Sequence, residues 1–214
     1  MNTKKISRKT IVRYIRDFSI VVAGIAVTLY INDIVTRKSE KRDMKLYLNA
    51  VKMELESNIK TLDNAIEDLQ PAIRYSQYLQ SQHKDSLNKD TLINYVNICF
   101  SLDAYAFKTN AFEMFKTSGA MRLVENKDLL QSLWAIYSGF TSLKELMEWN
   151  YKTKWEDLQK DLPLIDLGGN NELKGALLYN YYYLNTPKMM QQNYDKILEE
   201  TKKVVSLLEE TLND

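Results

Sequence analysis

The sequence is poor in the residues that most chemistry needs. Of 214 residues, one is His and one is Cys. A single histidine rules out His-rich metal sites and disfavours a Ser/His/Asp site. His83 also stands in a polar stretch, Gln80-Ser-Gln-His-Lys-Asp85, that reads as a loop or helix end. One thiol cannot close an internal disulfide, so packing alone holds the fold. Cys99 lies in an apolar setting, Tyr95-Val-Asn-Ile-Cys-Phe100, and reads as a small core hydrophobe rather than a reactive group. Glycine (6) and proline (3) are equally scarce. Turn-rich all-β folds consume both, so their shortage points to long helices with few connections.

Strong net charge is missing as well. The chain carries +1 overall, distributed as +4 over residues 1–35 and −3 over the rest. A slightly acidic body lacks the basic face of a nucleic-acid binder. The basic start, with Lys4, Lys5, Arg8, Lys9, Arg13 and Arg16, suits anionic lipid headgroups instead. No phosphate-binding loop or dinucleotide fingerprint is present, and Gly168-Gly169 reads as a turn between helices. The Glu-x-x-His pairs of di-metal bundles are absent. Glu54/Asn58 and Glu199/Lys203 fall at helical spacing, and the second reads as a solvated acid–base pair. Eight scattered methionines do not make a copper site. No cofactor, metal, small-molecule substrate or catalytic residue is expected.

What is present begins with the most apolar run of the chain, Phe18 to Ile31. Its large side chains are Phe18, Ile20, Val21, Val22, Ile25, Val27, Leu29 and Ile31. A span of the hydrocarbon core takes about 20 residues. The missing length comes from Ile11, Val12, Tyr14 and Ile15 before the run and from Ile34 and Val35 after it. Arg13 and Arg16 can lift their heads to the interface, where Tyr14 and Tyr30 also fit. A cleaved signal peptide has a similar start, but Leu29-Tyr-Ile-Asn-Asp-Ile34 offers no small-x-small processing site. A buried core helix is the plain alternative, yet Arg16-Asp17 and Arg37-Lys38 bracket the run like membrane edges. The preferred reading is a retained single-pass anchor over residues 17–35, after a basic cytoplasmic tail, residues 1–16. Arg37, Lys38, Lys41, Arg42 and Lys45 follow the run, so Lys/Arg counts decide orientation weakly. The expectation is an N-terminus inside and a body outside the cytoplasmic membrane. Ser19, Ala23, Gly24 and Thr28 place small residues on neighbouring stripes, a pattern that permits close helix association.

From residue 37 the pattern turns amphipathic. Leu48, Val51, Leu55, Ile59, Leu62, Ile66 and Leu69 form one stripe of a stalk helix over residues 37–69. One four–four step in that stripe argues against a strict heptad. Pro71 is expected to break or kink the helix, with a bundle over residues 72–214 beyond it. The bundle's helices are expected to start at Ala72, at Asp90 (carrying Leu92, Tyr95, Val96, Cys99 and Phe100), at Asn110, at Asn126 and at Thr186-Pro187. Asn110-Ala-Phe-Glu113 resembles a capping box with Glu113 reaching back to the Asn110 amide. Gly119 suits a left-handed stop. Leu129, Leu130, Leu133, Trp134, Tyr137, Phe140, Leu143 and Met147 form the central helix's apolar face, with Trp134 expected in the core. The last helix carries Met190, Tyr194, Ile197, Leu198, Val205, Leu208 and Leu212. The fold class is therefore all-α. A cluster of Tyr179, Tyr181, Tyr182 and Tyr183 reads as helix packing, or as a partner surface made by Tyr179, Tyr182, Tyr183 and Met189.

Two stretches carry a resemblance. One runs from Tyr14 to Asn32 and on through Tyr47-Leu48 and Glu54-Leu-Glu-Ser-Asn58; the other is Phe115-Lys-Thr-Ser-Gly-Ala-Met-Arg-Leu-Val-Glu-Asn126. Together they are similar to a family of uncharacterised small single-pass membrane proteins common in Bacteroidota. Its members often place an Asn-rich, Trp-containing patch at the membrane exit, whereas Asn32-Asp-Ile-Val35 has no Trp. The resemblance implies an anchor and a helical body, and no activity. The expected function is a non-enzymatic, membrane-anchored interaction or scaffold protein that binds lipid and another protein or itself. The rival expectation is a sensor or regulatory subunit whose helical domain binds a ligand and signals through a partner. An enzyme with an unrecognised site stands third.

Overall fold

The computed structural model describes residues 8–81, 105–161 and 186–213. Those residues form four α-helices and one 3-10 turn, with no strand among them. Helix α1 is Arg8–Ser81, α2 is Asn110–Thr117, the turn is Ala120–Leu123, α3 is Lys127–Asp161 and α4 is Thr186–Asn213. The all-α class follows directly. The chain separates into two compact units, residues 1–46 and 47–214. The expected helix from Asp90, His83, Cys99, Pro163, Gly168-Gly169 and Tyr179 to Tyr183 lie outside the described residues.

In the second unit, the buried face of α1 is more regular than its apolar residues suggest. Leu48, Val51, Leu55, Asn58, Leu62, Ala65, Leu69, Ala72 and Ser76 are all buried. They alternate by three and four without a break, a heptad seam. Asn58 and Ala65 hold the seam positions, while Ile59 and Ile66 are only half-buried beside it. The four–four step expected from the apolar residues is therefore not a feature of the packing. Helix α3 keeps the same alternation through Leu129, Leu133, Ile136, Phe140, Leu143 and Met147. Helix α4 buries Pro187, Met190, Tyr194, Thr201, Val204 and Leu208, so Val204 takes the core place expected for Val205, which is half-buried.

Of the break or kink expected at Pro71, the break does not occur: α1 continues to Ser81. A proline inside a helix costs about 3 kcal/mol. Leu69, Ala72 and Ile73 are buried around it, and burying each large aliphatic chain returns roughly 1.5–3 kcal/mol. Seam packing on both sides therefore offsets the missing amide.

Two buried polar side chains of α1, Asn58 in the seam and Glu54 beside it, fasten the segment leading into α2. Asn58 donates through Nδ2 to the Lys108 carbonyl and accepts from the Lys108 amide at Oδ1, both at 2.8 Å. It thereby pairs with the backbone as a neighbouring strand would. The Glu54 carboxylate accepts from the Ala111 amide (2.8 Å), the Phe112 amide (3.3 Å) and the Tyr137 hydroxyl (2.6 Å). These amides are orphan donors at the start of a helix, where a negative charge also meets the favourable end of the helix dipole. Glu54 thus caps α2 from another helix. The expected local box does not form: Thr109 precedes the helix without a side-chain cap, and Glu113 accepts from Lys116 Nζ at 2.7 Å. Asn126 does cap α3, accepting from the Leu129 amide at 3.0 Å. Gly119 adopts φ 74°, the left-handed conformation expected of it.

Aromatic packing completes this end of the core. Phe112 stacks on Tyr137 at 4.1 Å between centroids, and Tyr137 meets Phe140 edge-on at 5.7 Å. Trp134 is not in the core: half of its surface is exposed (50%). It lies one residue beyond seam position Leu133, leans on the edge of Phe112 at 5.4 Å and receives the Lys116 ammonium 4.9 Å from its ring centre. Between α3 and α4, Tyr194 donates to the Met147 sulfur at 3.0 Å. Burial pushes the Tyr194 hydroxyl up to about 12. A Cβ on Gly139 would sit 2.7 Å from the Ile197 Cδ1, so glycine permits the close approach there.

Candidate membrane interface

The first unit presents its apolar side chains to the outside. Phe18, Ile20, Val21, Val22, Ile25, Val27, Leu29 and Ile31 are all exposed, Phe18 by 70% and Leu29 by 63%. An 18-residue window of this helix has mean hydropathy 1.9, and none of it is buried. Among the described residues this is one helix long and apolar enough to cross a membrane. Among the described residues, then, nothing buries the run as the core of the fold.

The geometry fits a hydrocarbon slab. Phe18 to Val35 rises about 27 Å at 1.5 Å per residue, close to the ~30 Å of a bilayer core. Each end is closed by an ion pair. Arg16 contacts Asp17 at 3.1 Å before the run, and after it Arg37 contacts Asp33, one turn earlier in sequence, at 2.9 Å. The Asp33 carboxylate, the one acid close to the apolar residues at the exit, is thus matched by a cation that can draw it towards water. Tyr14 and Tyr30 are both exposed.

The small-residue stripe is open. A Cβ on Gly24 would meet nothing within 4 Å, and Ser19, Ala23 and Thr28 are exposed. The Thr28 hydroxyl donates to the Gly24 carbonyl at 2.9 Å, which satisfies it within its own helix. Such internal pairing removes the cost of placing a hydroxyl in lipid. Of the suggested partner surface, Met189 is exposed by 45%; the tyrosines lie outside the described residues.

Past the run, Lys38, Lys41 and Arg42 are exposed and Lys45 is half-buried. With Leu46 they line a shallow depression. Among the described residues no cluster of His, Cys, Asp or Glu is suited to a metal ion. Glu54, the buried carboxylate the sequence reading passed over as half of a helical pair, is committed to capping. It flanks the seam beside Leu55, and its burial follows from partners far along the chain. Burial, and then the bond to Glu54, hold the Tyr137 hydroxyl far above the usual tyrosine range. Comparison of the chain with protein-family models, with curated proteins and with solved structures found no match.

Proposed function

We propose that the chain is a single-pass membrane protein whose helical body is a non-enzymatic interaction or scaffold module. One observation carries the anchor: the apolar run is fully uncovered, while comparable side chains of the body are buried. Eight large apolar side chains left in water forfeit on the order of 10–20 kcal/mol, as much as a whole domain's stability of roughly 5–15 kcal/mol. Lipid is the environment that removes this cost. The preferred membrane is the cytoplasmic one. Lys4, Lys5, Arg8, Lys9, Arg13 and Arg16 favour retention of residues 1–16 in the cytoplasm, which puts the body on the other side.

The non-enzymatic reading draws support from the buried polar groups. Glu54 and Asn58 spend their hydrogen-bonding capacity on the backbone at residues 108–112 and on Tyr137. Membership of the Bacteroidota membrane-protein family remains part of this proposal and rests on the residues quoted above. The experiment is membrane fractionation of the full chain with alkaline carbonate, followed by protease protection of the body. An uncleaved chain that resists extraction, with a body digested in right-side-out vesicles and shielded in inverted ones, supports anchor and orientation. A product that is released by carbonate, or starts after residue 20, refutes the anchor.

A further inference from the structure

Resting on the membrane-span reading, we propose that Lys38, Lys41, Arg42 and Lys45 form a docking strip for the phosphate headgroups of anionic lipids in the leaflet at the helix exit. The four cations fall at i, i+3, i+4 and i+7 of α1. At about 100° per residue they occupy an arc of roughly 100°. The two acids of this stretch, Glu40 and Asp43, project about 150° away from the centre of that arc. Residues 36–46 hold five cations against those two acids. Arg37, the fifth cation, is engaged with Asp33 at 2.9 Å. Arg42 reaches Asp43 at only 3.7 Å, between two largely exposed side chains, a pairing that a phosphate can replace.

The direction of the helix makes lipid the occupant. Side chains on an α-helix tilt towards its N-terminus, and here the apolar run lies on the N-terminal side. The long Lys and Arg chains therefore lean back towards the bilayer. Lys38 stands about 5 Å and Lys41 about 9 Å past Val35 along the axis. The headgroup layer is about 6 Å deep and the screening length about 8–10 Å. Lys45, about 15 Å out and half-buried, closes the far end of the depression. The depression between the four cations and Leu46 has a floor of aliphatic stems under a cationic rim. Leu46 is itself 63% exposed. An apolar floor beneath charges suits a lipid headgroup and its glycerol better than an acidic protein surface.

The test uses the full chain in phosphatidylcholine vesicles with a minority of phosphatidylglycerol. Spin-labelled versions of each lipid report which one the protein immobilises. The wild type should prefer phosphatidylglycerol by about threefold or more, and high salt should erode the preference. The variant K38Q/K41Q/R42Q/K45Q should lose a large part of it, the remainder belonging to the basic residues 1–16. An unchanged tryptophan fluorescence melt of this variant shows that it is folded. Equal preference in the wild type and the folded K38Q/K41Q/R42Q/K45Q variant overturns the strip and leaves the span standing. A wild-type preference abolished by millimolar inorganic phosphate overturns the lipid assignment in favour of a free anion. A chain that immobilises neither lipid overturns the span, and the strip with it.

Discussion

Leu29 and Leu55 are the same side chain on the same helix, yet one is 63% exposed and the other is fully buried. Around Leu29 the apolar residues face every direction, with no polar face to turn to water. Around Leu55 they are confined to a seam, flanked by Lys52, Glu56 and Lys60. The contrast separates two ways for a helix to satisfy the hydrophobic effect. A seam needs a partner helix, and the body supplies one. An all-round apolar surface needs a solvent that is itself apolar, and nothing in the described body supplies that. Apolar content alone does not distinguish the two regions; its angular distribution does.

Breaking the first region should give the largest effect. A charge at the centre of a span costs about 2.5–3.5 kcal/mol by insertion scales. Val22→Arg together with Ile25→Arg should therefore move the chain from the membrane pellet to the soluble or aggregated fraction, as read by carbonate extraction. The body's own melt should be unchanged by the pair, because no residue of the second unit is altered. Retention of the double variant in the membrane would show that the run is not the anchor.

Within the body the costliest single change should be Phe112→Ala, which removes the ring stacked on Tyr137. Large-to-small core changes of this kind cost about 3–5 kcal/mol. Glu54→Leu should cost somewhat less, on the order of 2–4 kcal/mol, because it strands two amides and a hydroxyl that can partly recover water. Both are measured by denaturant unfolding in detergent, followed through Trp134, Trp149 and Trp155. A Glu54 variant as stable as the wild type would show that α2 is held without its cap.

Trp134→Ala should be much milder, about 1 kcal/mol, the scale of an edge-on aromatic pair with an exposed cation. The sequence reading put this residue in the core, and the reason it failed is informative. Leu133, Trp134, Tyr137 and Phe140 share one side of a helix, but a heptad seam is narrower than that side. Leu133 and Phe140 lie in it, Tyr137 is buried at its edge, and Trp134 falls on its shoulder. The all-α class and the uncovered apolar run were legible from scarce glycine and proline and from hydropathy. The left-handed stop at Gly119 and the Asn126 cap were legible from local motifs. Asn58 and Ala65 as seam members were not, because neither is strongly apolar and only their partners across the fold give them that role. The same holds for Glu54: its partners lie more than fifty residues along the chain. That α1 runs unbroken through Pro71 was not legible either, because local propensity gives the cost of a proline and not the packing that offsets it.

The smallest expected effect is alkaline. The Tyr137 pKa is raised in the fold, chiefly by burial and then by Glu54. Its neutral form is thus favoured in the native state, so its contribution is intact below the unfolded value near 10 and declines as pH rises beyond it. The body should lose stability above about pH 10, and Tyr137→Phe should flatten that loss while lowering stability modestly at neutral pH. An equal alkaline loss in the variant would assign it to other groups, Tyr194 first among them.

The account's central claim is that residues 18–31 face lipid on all sides. A nitroxide scan from residue 17 to residue 37 of the full chain in vesicles tests it most directly, with oxygen and a polar nickel chelate as competing relaxants. Oxygen accessibility should rise to a maximum near the middle of the run, with chelate accessibility negligible there and recovering by Arg37. A chelate signal oscillating with a period of about 3.6 residues through the run would mean a helix lying along a surface with one face in water, and would contradict the span.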